Sequence, residues 1–207
     1  MKSLVLALLV SAGLAAGCAA SNVRTGQRFF AGCLDQVDDK ATLRTGTFVC
    51  KGDKRDPEPF GGNGRACGSC HLPGDNFGMS VSRIATLPED HPFFFPGLDE
   101  DQKLLRAHGL VHVIVPGEID EFRQTPKLVH LQTICNKNGK CDALGLLGDR
   151  VRDLCAFSMQ AIVNHMAKTT ERVPGEDFRM PTPKECKALV AYMVSDLVAG
   201  QDERNRK

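Results

Sequence analysis

The sequence predicts a single, mainly α-helical domain with long loops and an N-terminal extension, on three observations. Two segments, 149–169 and 183–198, repeat apolar residues at spacings of three and four, the signature of a helix with one buried stripe. Only one run, Leu110 to Val115, is β-branched enough to suggest a strand. The chain of 207 residues shows no internal repeat and is long enough for one compact domain with a real core, but not for two.

Taken in order, residues 1–17 read as a lipoprotein signal peptide. Lys2 supplies a positive charge, Leu4 to Val10 an apolar run, and Leu14-Ala15-Ala16-Gly17-Cys18 resembles a bacterial lipobox. The mature chain would begin at Cys18 and carry lipid there, anchoring it to a membrane; a cut after Ala20 by the ordinary signal peptidase is the alternative. Either route exports the protein, to the periplasmic face of a bacterial membrane or to the soluble periplasm. The apolar run is shorter than the roughly 20 residues that span a bilayer. Residues 18–55 form the polar N-terminal extension, and the ten residues from Cys50 to Pro59, with two prolines and many charges, mark a loop across its end. The principal domain covers 56–200, and 201–207 is a polar tail.

Within that domain a helix is expected from Asp99 to His108, ended by Gly109. The longer helix of 149–169 sets Val151, Leu154, Cys155, Ser158, Ala161, Ile162, His165 and Met166 on one stripe. The last, 183–198, does the same with Cys186, Leu189, Val190, Met193, Val194 and Leu197. Its start is marked strongly: Thr182 can cap, Pro183 suits the first helical position, and Glu185 completes a capping box.

Lys and Arg total 26 against 25 Asp and Glu, so no overall field steers the chain towards nucleic acid, and none is expected as a partner. The absence of Trp and the single Tyr give no support to a carbohydrate-stacking surface.

Nine cysteines fit an oxidising compartment. With Cys18 taking lipid and Cys67 and Cys70 set aside for chemistry, Cys33, Cys50, Cys135, Cys141, Cys155 and Cys186 remain, an even number suited to disulfides. Proximity in sequence favours Cys33 with Cys50 and Cys135 with Cys141, which leaves Cys155 with Cys186 to tie the two long helices face to face. Free buried thiols are the plainer alternative.

Chemistry concentrates at Cys67-Gly68-Ser69-Cys70-His71. Two thiols one turn apart can bond covalently to the two vinyl groups of haem, and the adjacent imidazole can ligate its iron. One heme c is expected. A redox dithiol would want a thioredoxin-like βαβ unit around the pair, and the sequence offers none. A zinc site would want a second ligand pair at short spacing. For the distal side of the iron, Met180 is preferred, in the proline-bounded Phe178-Arg179-Met180-Pro181, with His165 as the alternative on its apolar stripe. Met79 lies close to the attachment turn, and His91, His108, His112 and His130 read as structural or surface residues.

Cys67 to His71, Met180-Pro181 and the closing Ala191-Tyr192-Met193 resemble the class I cytochromes c. A closer likeness is to cytochrome domains of the bacterial di-haem cytochrome c peroxidase-like group, through Gly64 to His71, Phe122 to Leu128 and Phe178 to Thr182. The resemblance implies a cytochrome c-like helical fold over 56–200, a redox partner protein, and electron transfer by a mono-haem cytochrome. Its alternative is a haem enzyme acting on peroxide or a small oxidised substrate. Those peroxidases carry two haems, whereas this chain has one attachment motif.

Mass spectrometry of the mature protein should find a lipid-modified Cys18 followed by Ala19. An unmodified chain starting at Ser21 would exclude the anchor.

Overall fold

The computed structural model describes residues 22–32, 60–98, 101–115, 119–142, 144 and 151–201. The signal peptide, Cys18, the Cys33 to Cys50 pair, residues 33–55 of the extension and nearly all of the polar tail lie outside the described residues.

The described chain is helix-rich, with one small two-stranded sheet. In order it forms α1 (residues 22–31), α2 (Val81–Ile84), α3 (Gln102–His108), β1 (Leu110–Val115), β2 (Ile119–Gln124), α4 (Leu131–Ile134), α5 (Leu154–His165), α6 (Pro183–Met193) and α7 (Asp196–Ala199). The two strands pair antiparallel, from Leu110 opposite Gln124 to Val115 opposite Ile119.

Local chemistry sets most boundaries. Asp101 accepts from the Lys103 and Leu104 amides to start α3, and Gly109, at φ 66°, ends it in the left-handed conformation that glycine adopts without steric cost. The Asp153 carboxylate accepts from the Ala156 amide, so α5 begins at Leu154, later than the periodicity alone suggests. The Thr182 to Glu185 capping box forms, with Pro183 in the first turn of α6. The expected single run to Val198 divides, because Ser195 donates its hydroxyl to the Tyr192 carbonyl and α7 starts afresh beyond it.

The larger hydrophobic cluster gathers Phe29 and Phe30 of α1, Leu154 and Ile162 of α5, and Leu189, Val190, Tyr192 and Met193 of α6. Phe30 meets the Tyr192 ring edge-on at 5.2 Å, and Phe29 stacks on Phe60 at the same centroid distance. Through these contacts α1 packs into the same core as the described residues from 60 onward. Its contact with α6 is close, since a methyl group on Gly26 would overlap the Ala188 carbonyl and lie 2.9 Å from Tyr192 Cβ. A smaller cluster holds Leu72, Met79, Ile84, Phe93, Phe94 and Leu105.

Two of the expected disulfides lie within the described residues. Cys135–Cys141 closes the turn around Gly139, and Cys155–Cys186 joins α5 to α6. Among the described residues no helix is long and apolar enough to cross a membrane.

The segment from α5 to α6 turns around Asp177, whose Oδ2 accepts from the Val173 amide (2.8 Å) and the Thr169 hydroxyl (2.9 Å). The amide bond above all, aided by Thr169, holds its carboxyl below the ordinary 3.8 despite the opposing effect of burial. A carboxylate with a lowered folded-state pKa adds stability above its unfolded-state value and loses it as pH falls through the folded one.

Two measurements follow from these contacts. Gly26→Val should destabilise the protein by roughly 1–3 kcal/mol through overpacking, read as a lower unfolding midpoint against an exposed Arg24→Ala control. Unfolding scans should show wild-type stability falling as pH drops below about 4, with a shallower fall in Asp177→Asn. Parallel profiles would remove the role given to Asp177.

Candidate functional site

Residues 65–71 form a tight turn. Cys67–Ser69 is a single 3-10 turn, started by reciprocal bonds between Ala66 and Ser69: the Ser69 hydroxyl accepts from the Ala66 amide (3.0 Å) and the Ser69 amide donates to the Ala66 carbonyl (3.0 Å). The Cys70 and His71 amides both donate to the Cys67 carbonyl, at 3.2 and 2.9 Å. This brings Cys67, Cys70 and His71 to one side of a common cleft. Cys67 is a free thiol. Burial, and next the neighbouring Cys70, push the Cys67 thiol up to about 12.

His71 donates its Nδ1–H to the Phe77 carbonyl at 2.7 Å, which leaves Nε2 with its lone pair. That carbonyl is aimed by an unusual piece of backbone. Asn76 and Phe77 are both left-handed, at φ 57° and 54°, while the flanking Leu72 and Gly78 pair as a bridge and the Phe77 ring is buried. Left-handed backbone at a bulky residue costs on the order of 1–3 kcal/mol, so the surrounding contacts must hold it. Burial lowers the His71 pKa to about 4, against the Phe77 and Pro126 carbonyls, which act the other way.

A second wall is α5. Phe157, Gln160, Ala161, Asn164 and His165 recur at helical spacing and line the cleft, and Val111 and Val113 of β1 close its flank. The cleft takes in about 900 Å³ of space, counting the open solvent at its mouth. The Nδ1 of His165 is buried without a hydrogen-bond partner. Burial first, and then the charge of Arg65, lower its pKa to about 3, so the ring is a neutral imidazole at ordinary pH.

The end of α5 is tied to the segment that leads into the Cys67–Ser69 turn. Arg65, 2% exposed, donates from Nη1 to the His165 carbonyl at 3.1 Å and from Nη2 to the Phe93 carbonyl. Asn63 Nδ2 donates to the same His165 carbonyl at 3.0 Å, and the Gly62 amide to that of Met166 at 3.0 Å.

The expected distal residues separate. His165 lines the cleft; Met180 does not, and is 41% exposed. Met180 thus stands apart from the cleft that Cys67, Cys70 and His71 line. Its neighbour Arg179 takes the inward position, stacked over Phe60 at 4.6 Å and paired with Glu185 at 3.0 Å. Met79 is buried in the smaller cluster, away from the cleft. Met166, read from the sequence only as a stripe residue, does line the cleft. His91 is buried and accepts from the Phe93 amide, His112 pairs with Asp120 and stacks on Phe122, and His108 and His130 are exposed.

Sequence reading missed Arg65 and Asn63, for which the only signal was a charged residue two places before Cys67. Among the described residues no group of three or more His, Cys, Asp or Glu side chains could hold a bare metal ion. Comparison with protein-family models, with curated proteins and with solved structures finds no match.

Proposed function

We propose that the protein is an exported, mono-haem c-type cytochrome that transfers single electrons. One observation carries the reading: two cysteines, Cys67 and Cys70, and two neutral imidazoles, His71 and His165, line the same largely apolar cleft. The residues fit the group. Cys67 and Cys70 would hold haem through thioether bonds, His71 would ligate the iron, and His165 supplies a second imidazole on the α5 wall in place of Met180. The packing of α1 across α6 supports a cytochrome c-like fold as the finer form of the helix-rich architecture.

When bound, the haem supplies a one-electron couple. The protein's own residues do the rest. The Phe77 carbonyl fixes the orientation of His71 and makes its free nitrogen a better donor. Val111, Val113, Phe157 and Ala161 exclude water, which keeps reorganisation on electron transfer small. The raised thiol pKa of Cys67 speaks against a redox dithiol, whose nucleophile needs a thiolate near neutral pH. In this reading the sequence-level expectations of one heme c, a redox partner protein and a lipid-anchored periplasmic location stand together.

A peroxidase-like enzyme is the second reading. It draws on Gln160, whose buried Oε1 has no hydrogen-bond partner on the cleft wall. A polar group there could meet a small oxidised substrate.

Purified protein should retain haem through acid-acetone extraction and give a low-spin ferric spectrum without a thioether band. His165→Ala should convert it to high spin, while Met180→Ala and Met166→Leu leave it unchanged. Haem stripped by the extraction would end the attachment reading. High-spin wild-type iron that reacts rapidly with peroxide would favour the enzyme.

A further inference from the structure

A helix leaves its last carbonyls without intrahelical partners, and something outside the helix must satisfy them. For α5 that something is the segment leading into the attachment turn. The His165 carbonyl accepts from Arg65 Nη1 and Asn63 Nδ2, and the Met166 carbonyl from the Gly62 and Asn63 amides. Asn63 is itself keyed to Arg65, since its Oδ1 accepts from the Arg65 amide at 3.0 Å. The side-chain bonds join residues about a hundred apart in sequence and end on His165, whose ring lines the cleft.

We propose that Arg65 and Asn63 are positioning residues that set the His165 imidazole relative to His71 by holding the His165 backbone. The proposal rests on the reading of His71 and His165 as the two axial ligands. The rings are held differently. His71 is oriented through its Nδ1–H by the Phe77 carbonyl, whereas His165 Nδ1 has no partner, so its ring is placed by its backbone and by packing alone. The residue carrying the backbone bonds therefore governs how well the second imidazole reaches the iron.

Arginine suits the position for a geometric reason. Its planar fork reaches the His165 and Phe93 carbonyls at once, and a positive group at a helix C-terminus opposes the negative end of the macrodipole. Lysine keeps the charge but, as a single point donor, cannot reproduce the two-pronged bridge. Arg65 lies two residues before Cys67, so any shift at its guanidinium is felt on both sides of the cleft.

The test uses the full-length holoprotein and the ferric spectrum, by visible absorption and electron paramagnetic resonance, with thermal unfolding alongside. Wild type should show one low-spin species. Arg65→Lys should show a mixture of low and high spin, returned to low spin by added imidazole, with apparent imidazole affinity about tenfold above wild type. Asn63→Ala, which removes one of the two side-chain bonds to the same carbonyl, should show a smaller change in the same direction. Wild-type spectra and imidazole affinity in both variants, with only a lower unfolding midpoint, would make the two residues merely structural and overturn the proposal. If Arg65→Lys does not accumulate as holoprotein, Asn63→Ala decides alone by the same criterion. A wild-type spectrum without bis-imidazole iron would instead remove the ligand reading beneath it.

Discussion

The closure of the C-terminal end of α5 by residues 62–65 is the constraint on which the rest of the site depends. A buried guanidinium that donates to backbone carbonyls makes charge-assisted bonds worth roughly 1.5–3 kcal/mol each, and it costs more than that to leave buried without acceptors. Arg65 therefore cannot move far without loss. It fastens three separate pieces of chain: its own turn, the last turn of α5 through His165, and the 92–94 turn through Phe93. Phe93 belongs to the smaller hydrophobic cluster, while α5 belongs to the larger. One polar side chain thus joins the two apolar units.

The other end of α5 is pinned as well, by a different bond. Cys155 lies in its first turn and is joined to Cys186 of α6, whose Tyr192 in turn packs against Phe30 of α1. The 12 residues of α5 span about 18 Å at 1.5 Å per residue. A helix fixed covalently at one end and by buried hydrogen bonds at the other behaves as a rigid wall. Phe157, Gln160, Ala161 and Asn164, between the two anchors, inherit their positions from them.

The parts of this arrangement that were legible in the sequence are those decided by neighbours in the chain. The capping box of α6, the glycine stop after α3 and the Cys135–Cys141 bridge depend on residues within a few turns, and Cys155–Cys186 followed once the nearer pairs were made. What was not legible depends on distant contacts. Residues 22–31 read as polar extension because a short helix with Phe29 and Phe30 shows little periodicity, and the need for Gly26 appears only when Ala188 lies against it. The second strand was missed because Ile119 to Gln124 carries four polar residues of six, so its strand character comes from pairing with β1. Met180 seemed well placed by its restrained loop. In the folded chain its neighbour Arg179 takes the inward direction, over Phe60 and towards Glu185, which turns Met180 out to solvent.

The two imidazoles differ in a way that bears on the proposed redox role. A ligating histidine that donates its second ring proton to an acceptor becomes a stronger donor to iron, and its ring plane is fixed. His71 has such an acceptor in the Phe77 carbonyl, obtained at the cost of two successive left-handed residues. His165 has none. In the proposed site the iron would therefore be held from the proximal side by chemistry local to the attachment turn, while the distal side would depend on long-range contacts that place a helix end. Two neutral nitrogen donors also stabilise ferric iron more than a nitrogen and a thioether do, so replacing Met180 by His165 in the ligand set moves the expected potential downward.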